Sequence, residues 1–404
     1  MLLGPHPSLR RILGLRYLTG VPRSPTLARG VTPVARILLA SWVLLGLAGC
    51  TAPRLTSELR VEPFASLRTA YDRLPQERLE VEVRVDGQPS VVALRRIQGG
   101  TQASIRPTLV MQPGLMASGE TWRFLAGALE GAFDLLLVDP PGAGGSSVPD
   151  PEGAPEHAYG PTWLAAHTLA ALEALEASEP RGARDTSRPA SYVLVGHSLG
   201  GAVVLRALAD GGLRERHAGV LARVRGAVLF NPADIALSTR QEMFVNLTRL
   251  TDFEVGVAER LGLLRRRVRM GVLDNAVLGP AHALEDEARR IEDMLGRRPM
   301  RRAAQAMLRR FQPLEQDGET TDMDAARRLA VEERAVSQPV LVLWGTQDRT
   351  FAREVGEAVV QRLARARMVD LPHAGHSSHQ DAAREAASHL RGFVESLAAE
   401  PGSP

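Results

Sequence analysis

Lysine is absent from this chain: all 49 of its basic residues are arginines. The same composition is rich in Ala, Gly and Pro, the usage of a GC-rich coding sequence. The arginine excess is therefore not read as a nucleic-acid signature. Cysteine occurs once, at Cys50, so no internal disulfide and no cysteine-based metal cluster can form. Aromatic residues make up only 4% of the chain. No apolar run reaches the ~20 residues a membrane-spanning helix needs. The longest, Ile37 to Gly49, is markedly shorter. No dinucleotide-type glycine fingerprint follows a strand, and neither a phosphate-binding P-loop nor an HExxH pair occurs. Those absences give no reason to expect a cofactor. What remains is an ordinary globular composition, 44% apolar and 24% charged over 404 residues, enough for a substantial core.

Charge is unevenly placed. Residues 1–50 hold six arginines (Arg10, Arg11, Arg16, Arg23, Arg29, Arg36) and no acid, which leaves 43 basic against 46 acidic side chains in the rest. That mildly acidic remainder offers no broad basic field for a phosphate backbone, so a nucleic-acid partner is not expected. Arg36 precedes the apolar run ILLASWVLLGLAG, which has the length of a signal-peptide core. The run ends in Leu47-Ala48-Gly49-Cys50, which resembles a bacterial lipobox. The resemblance implies lipidation of Cys50 and cleavage before it, hence an envelope protein held to a membrane by acyl chains. Thr51, rather than Asp, favours the outer membrane. The segment VTPVAR from Val31 would make a normal leader start, and residues 1–30 read as a mis-assigned start.

Further along, the alternation LEVEVRV-DG-QPSVVALRRI over 79–97 predicts a hairpin turning at Asp86-Gly87. Short apolar runs at 107–112, 133–139, 191–195, 224–230, 339–344 and 366–371 read as buried strands. Helical stretches are expected at 120–129, 162–177, 199–210, 352–366 and 380–398. Between 238 and 336 strand-like runs give way to arginine-rich amphipathic helices. The alternation predicts an α/β fold: a mostly parallel sheet with helices on both faces and an inserted helical cap. The implied organisation is a leader (1–49), a tether (50–58), a core in two parts (59–237 and 337–404) and the cap (238–336). The runs Arg265-Arg266-Arg267 and Arg297-Arg298 read as solvated helix faces, with contact to anionic lipid headgroups as the alternative, and Trp122, Trp163 and Trp344 as core or pocket wall.

Gly196-His197-Ser198-Leu199-Gly200 fits G-x-S-x-G between an apolar strand and an apolar helix. A sharp strand-to-helix turn puts the serine in a strained conformation, and its small neighbours let backbone approach. The helix N-terminus adds free N–H groups for developing negative charge. Such a serine needs a base and an orienting acid. Asp348 (GTQDRT) follows the run at 339–344, and His376 (PHAGHSSH) the run at 366–371. His373, His379 and the acid Asp234 compete for the same roles, with His373 and His379 read otherwise as solvated loop residues. His197 reads as packing beside the turn, and Asp139 as holding the turn PPGAGGSS.

Taken in order, LVMQPGLMASGETW, VDPPGAGGSS, VGHSLGG, LWGTQD and AGH resemble the α/β-hydrolase superfamily over roughly residues 80–398, with an esterase or lipase as the nearest kind. The resemblance implies Ser198 as nucleophile, His376 as general base and Asp348 as its partner. It also implies an oxyanion hole from the amides of Leu115 and Leu199. Pro113-Gly114 stands where such hydrolases carry His-Gly, which costs no donor because the hole uses backbone N–H groups. A small acyl substrate is expected, with Met116, Phe244 and Leu247 as lining. The same triad would serve a peptidase, thioesterase, acyltransferase or carbon–carbon hydrolase. A dehalogenase or epoxide hydrolase would carry aspartate at the elbow. A non-catalytic envelope lipoprotein keeping the fold for binding is the rival from another class.

Overall fold

Eight strands form one sheet, side by side in chain order except that the third and fourth are exchanged. The computed structural model describes residues 64–100, 106–178, 191–234, 248, 251–275, 281–315 and 321–399. The described residues all fall in one compact unit, Pro53–Pro404. Cys50, the leader, Phe244 and Leu247 lie outside the described residues.

β1 (Gln76–Val85) and β2 (Gln88–Ile97) form the expected hairpin. The pairing Val85↔Gln88 leaves Asp86-Gly87 as a two-residue turn. Both carry positive φ, +51° and +76°, as a type I′ turn requires. β2 runs antiparallel to β4 (Leu135–Val138), and every later pairing is parallel. β3 (Thr108–Gln112), β5 (Tyr192–His197), β6 (Val224–Phe230), β7 (Val340–Gly345) and β8 (Ala366–Leu371) follow the apolar runs read from the sequence.

From β3 to β7 the runs are continuous rather than alternating because both sheet faces are covered. In β7, Val340, Val342 and Trp344 join one core while Leu341 and Leu343 join the other. In β5, Leu194 faces the first core, and Val193 and Val195 the second. Helices α1 (Phe64–Arg73) and α2 (Arg123–Leu129) contribute to the second core, α3 (Pro161–Ser178) and α4 (Leu199–Ala209) to the first. α1 buries Phe64, Leu67 and Tyr71 at i, i+3 and i+7, a helical stripe that the sequence reading passed over. The short helices α5 (Gly211–Arg216) and α6 (Ala218–Leu221), also unexpected, precede β6.

Between β6 and β7 the described residues form five helices: α7 (Asp252–Arg260), α8 (Leu263–Asn275), α9 (Ala281–Gly296), α10 (Arg298–Arg310) and α11 (Met323–Glu333). Thr251 opens α7 with a capping box to Glu254. Arg265 and Arg298 are more than 60% exposed and meet Glu292 and Asp252, as solvated faces do. After β7, α12 (Arg353–Arg362) ends four residues before the expected point, because Leu363 turns extended toward β8. The last helical stretch is two helices, α13 (Ser378–Asp381) and α14 (Ala383–Ala399). α12 lies against the first core and α14 against the second.

Candidate active site

The parallel register brings the carboxyl ends of β3, β5, β6, β7 and β8 to one edge. Gln112 is level with Gly196, His197 with Phe230, Phe230 with Leu343, and Gly345 with Leu371. Ligands of open α/β sheets bind at this edge. The segments leaving it carry Ser198, Asn231, Asp348 and His376.

Ser198 sits between β5 and α4 with φ +52° and ψ −120°, a strained conformation for a residue with a side chain. Its neighbours explain how the turn closes. A Cβ on Gly196 would lie 2.3 Å from the Gly200 carbonyl, one on Gly200 2.3 Å from the Gln112 carbonyl, and one on Gly201 2.7 Å from Pro232. Only glycine fits at these three places. The Ser198 amide donates to the Phe230 carbonyl at 3.0 Å, tying the turn to β6.

Ser198 Oγ lies 2.9 Å from Nε2 of His376, on the loop after β8. His376 Nδ1 lies 2.8 Å from Oδ2 of Asp348, on the loop after β7. An ionised carboxylate can only accept, so Nδ1 carries the proton and Nε2 is left to accept from the serine hydroxyl. Burial alone would raise the Asp348 pKa, but His376 and the amides of Phe351 and Thr350 outweigh it and hold the group below the ordinary carboxylate value. Those amides donate to Oδ1 at 3.0 and 2.7 Å, which leaves Oδ2 for His376.

One participant is not foreseeable from a sequence pattern. Asn231, at the end of β6, is fully buried, with φ +41°. Its Nδ2 donates to Asp348 Oδ2 at 2.7 Å, and its Oδ1 accepts from the Gly345 amide at 3.1 Å and the Ser378 hydroxyl at 2.5 Å. Only its place at the strand end, and the tolerance of asparagine for positive φ, could have marked it.

The competing residues are placed elsewhere. Asp234 makes two parallel 2.8 Å bonds to Arg362, which also meets Glu333. His373 is exposed, as read. His379 corrects the reading of a solvated loop residue. It is fully buried, because α13 turns it inward onto Trp122 (ring centroids 4.6 Å apart) and the Thr121 hydroxyl (3.1 Å). Its pKa falls well below the ordinary value through burial and the nearby rings of His197 and His376. His197 packs beside the turn, as expected. Asp139 accepts from the amides of Gly119 and Gly145 at 2.8 and 2.9 Å and holds its turn. Trp122, Trp163 and Trp344 are buried.

Leu115 lies in a four-residue turn closed by the Ala117 amide on the Gly114 carbonyl. Met116 takes the left-handed position in it, with φ +56°, and is half-buried. A Cβ on Gly114 would stand 3.2 Å from the Cβ of Ser198, so this turn runs directly beside the serine. Leu199 is the first residue of α4, where amides have no partner within the helix. Neither the Leu115 nor the Leu199 amide donates to a backbone carbonyl among the described residues. Among the described residues no group of three or more His, Cys, Asp and Glu side chains gathers to hold a metal ion.

Solved structures share the fold over most of their length. An esterase, RhEst1, from Rhodococcus sp. ECU1013 is 21% identical (TM-score 0.55, covering 79% of this chain and 99% of that one). The haloalkane dehalogenase DatA from Agrobacterium tumefaciens C58 is 16% identical (TM-score 0.56, 81% and 99%). A 2-hydroxy-6-oxo-6-phenylhexa-2,4-dienoate hydrolase from Rhodococcus sp. strain RHA1 is 17% identical (TM-score 0.54, 80% and 100%). Three chemistries on one scaffold show that the fold alone does not choose among them. No curated protein matches the sequence significantly. The sequence profile of the Alpha/beta hydrolase family matches residues 109–388, which includes Ser198, Asp348 and His376, and the chain belongs to that family.

Proposed function

We propose that the chain is a carboxylic ester hydrolase working through Ser198, His376 and Asp348. The observation that carries this reading is the unbroken hydrogen-bond chain Asp348–His376–Ser198, at 2.8 and 2.9 Å, ending on a serine held in a strained turn. In this mechanism Ser198 Oγ bonds to the acyl carbon as its proton passes to His376 Nε2. Asp348 stabilises the imidazolium that results. The carbonyl oxygen gathers negative charge, which the amides of Leu115 and Leu199 take up. The ester C–O bond breaks, and the leaving alcohol takes the proton from Nε2. Water, deprotonated by His376, then releases the acid from the acyl-enzyme. Met116 lies on the turn next to the serine and would meet the acyl group, and the helices between β6 and β7 would cover it. Attachment to the outer membrane through lipidated Cys50 belongs to the same proposal and rests on the sequence alone. The intact mass of the N-terminal peptide tests it.

The enzymatic test is labelling with a fluorophosphonate probe, with Ser198→Ala beside the parent, followed by esters of increasing acyl length. Labelling of the parent alone, with turnover of the esters, is expected. A folded parent that takes no label refutes the proposal.

A further inference from the structure

His197 is a buried titratable group in direct contact with the machinery, and the mechanism above gives it no task. Its Nε2 lies 2.9 Å from the main-chain carbonyl of His376. A carbonyl only accepts, so the His197 proton sits on Nε2 and Nδ1 is a lone pair. Nδ1 is buried without a hydrogen-bond partner. It faces the turn after β3, where a Cβ on Gly114 would stand 2.9 Å from it. The ring lies between two others, with centroids 4.3 Å from His379 and 5.0 Å from His376. Burial, with His376 adding to it, pushes the His197 pKa down to about 3, so the ring is neutral near pH 7.

We propose that His197 is a positioning residue: its Nε2–H fixes the backbone of the base, and its ring fixes the Gly114–Ala117 turn that carries the Leu115 amide. The turn after β3 and the loop after β8 meet on this one side chain at the end of β5. The base could otherwise shift along its loop, since a carbonyl neighbour sets where the imidazole starts from. The turn could close onto the serine if a smaller residue replaced the ring. Neutrality is part of the design, because a charged ring here would oppose the imidazolium that His376 becomes. This inference rests on the triad reading above.

The test compares His197→Phe, which keeps a ring but no donor, with His197→Gln, whose amide N–H reaches about as far as Nε2. Both are made in the full chain, and the rate of fluorophosphonate labelling is read together with kcat and KM on a short soluble ester. The phenylalanine variant should lose ~10–100-fold in labelling rate and kcat with KM little changed, as a displacement of the base by a fraction of an ångström to 1 Å would give. The glutamine variant should recover most of that loss. Wild-type labelling rates in the phenylalanine variant, or a glutamine variant as slow as it, overturn the proposal while leaving Ser198 as nucleophile. Absence of labelling in the parent instead overturns the triad reading. If the phenylalanine variant does not fold, nitrogen-proton spectra of the wild-type imidazoles decide. His197 should hold its proton on Nε2, unchanged from pH 5 to 9. A proton on Nδ1, or titration in that range, overturns the proposal.

Discussion

Gly345 ends β7 three residues before Asp348, and its surroundings make a quantitative prediction. A Cβ there would stand 2.1 Å from the Gly375 carbonyl oxygen and 2.6 Å from that of Ala374. Both neighbours are backbone, so no flexible side chain can swing away. Ordinary contact begins near 3.5 Å, so Gly345→Ala must part the strand end from the His376 loop by roughly 1 Å. Gly375 is bonded to His376, and the His376–Asp348 bond at 2.8 Å spans this same gap. Overpacking of this kind costs about 1–3 kcal/mol of stability. A misplacement of about 1 Å in a catalytic group costs on the order of 100-fold in rate. The assay is kcat and KM on a p-nitrophenyl ester, with a thermal melt of each variant. kcat should fall ~30–100-fold with KM nearly unchanged, and the melt should drop. Gly392→Ala is the control. Gly392 is exposed on α14, and a Cβ there meets nothing within 4 Å, so the same substitution should stabilise by about 0.5–1 kcal/mol with full activity. A Gly345→Ala protein with wild-type kcat refutes the claim that the β7 end and the His376 loop set the triad distance.

The remaining expectations use the same two readouts. Asn231→Leu removes a donor to an ionised group and leaves the Gly345 amide without its acceptor, so a stability loss of about 3 kcal/mol and a kcat drop near tenfold should appear. Asp234→Asn breaks a buried pair and should cost stability, about 3 kcal/mol, with kcat within a few-fold of wild type, whereas Asp348→Asn should lower kcat by ~10³–10⁴. Comparable kcat losses in the two variants would sink the assignment of the acid. Because the Asp348 pKa is depressed on folding, the stability this group contributes is full above the unfolded carboxylate value near 4 and is lost as pH falls through the folded value. Melts of wild type and Asp348→Asn should therefore converge as pH falls below about 4, and a gap that stays constant with pH would contradict the depressed value.

What the sequence makes legible follows from how locally each feature is encoded. Strands β3 to β7 are short apolar runs because each is buried on both faces, and the hairpin turn shows because Asp-Gly is a local solution to two positive φ angles. α1 carries a readable stripe in Phe64, Leu67 and Tyr71, passed over in a segment taken as the start of the core. His379 and Asn231 are different in kind. His379 owes its burial to Thr121 and Trp122, more than 250 residues away, so nothing near SSHQ separates it from a solvated loop. Asn231 matters only because β6 lies beside β7, and adjacency of parallel strands is not written in either strand.

The choice between the two acids shows the same limit from the other side. Asp234 and Asp348 both follow a strand of the central sheet, and chain order alone admits either. Their neighbours separate them. Arg362 takes both oxygens of Asp234 in two parallel bonds, so that carboxylate is oriented by a guanidinium. Asp348 is held the opposite way. Two amides occupy one oxygen, so the carboxylate is fixed in orientation, and the other oxygen is left for His376 and Asn231. An acid bound by a guanidinium is spent on stability, while one bound by main-chain amides keeps its negative charge available to a base. The distinction lies in Arg362, which sits 128 residues from Asp234 in the chain, and not in either aspartate.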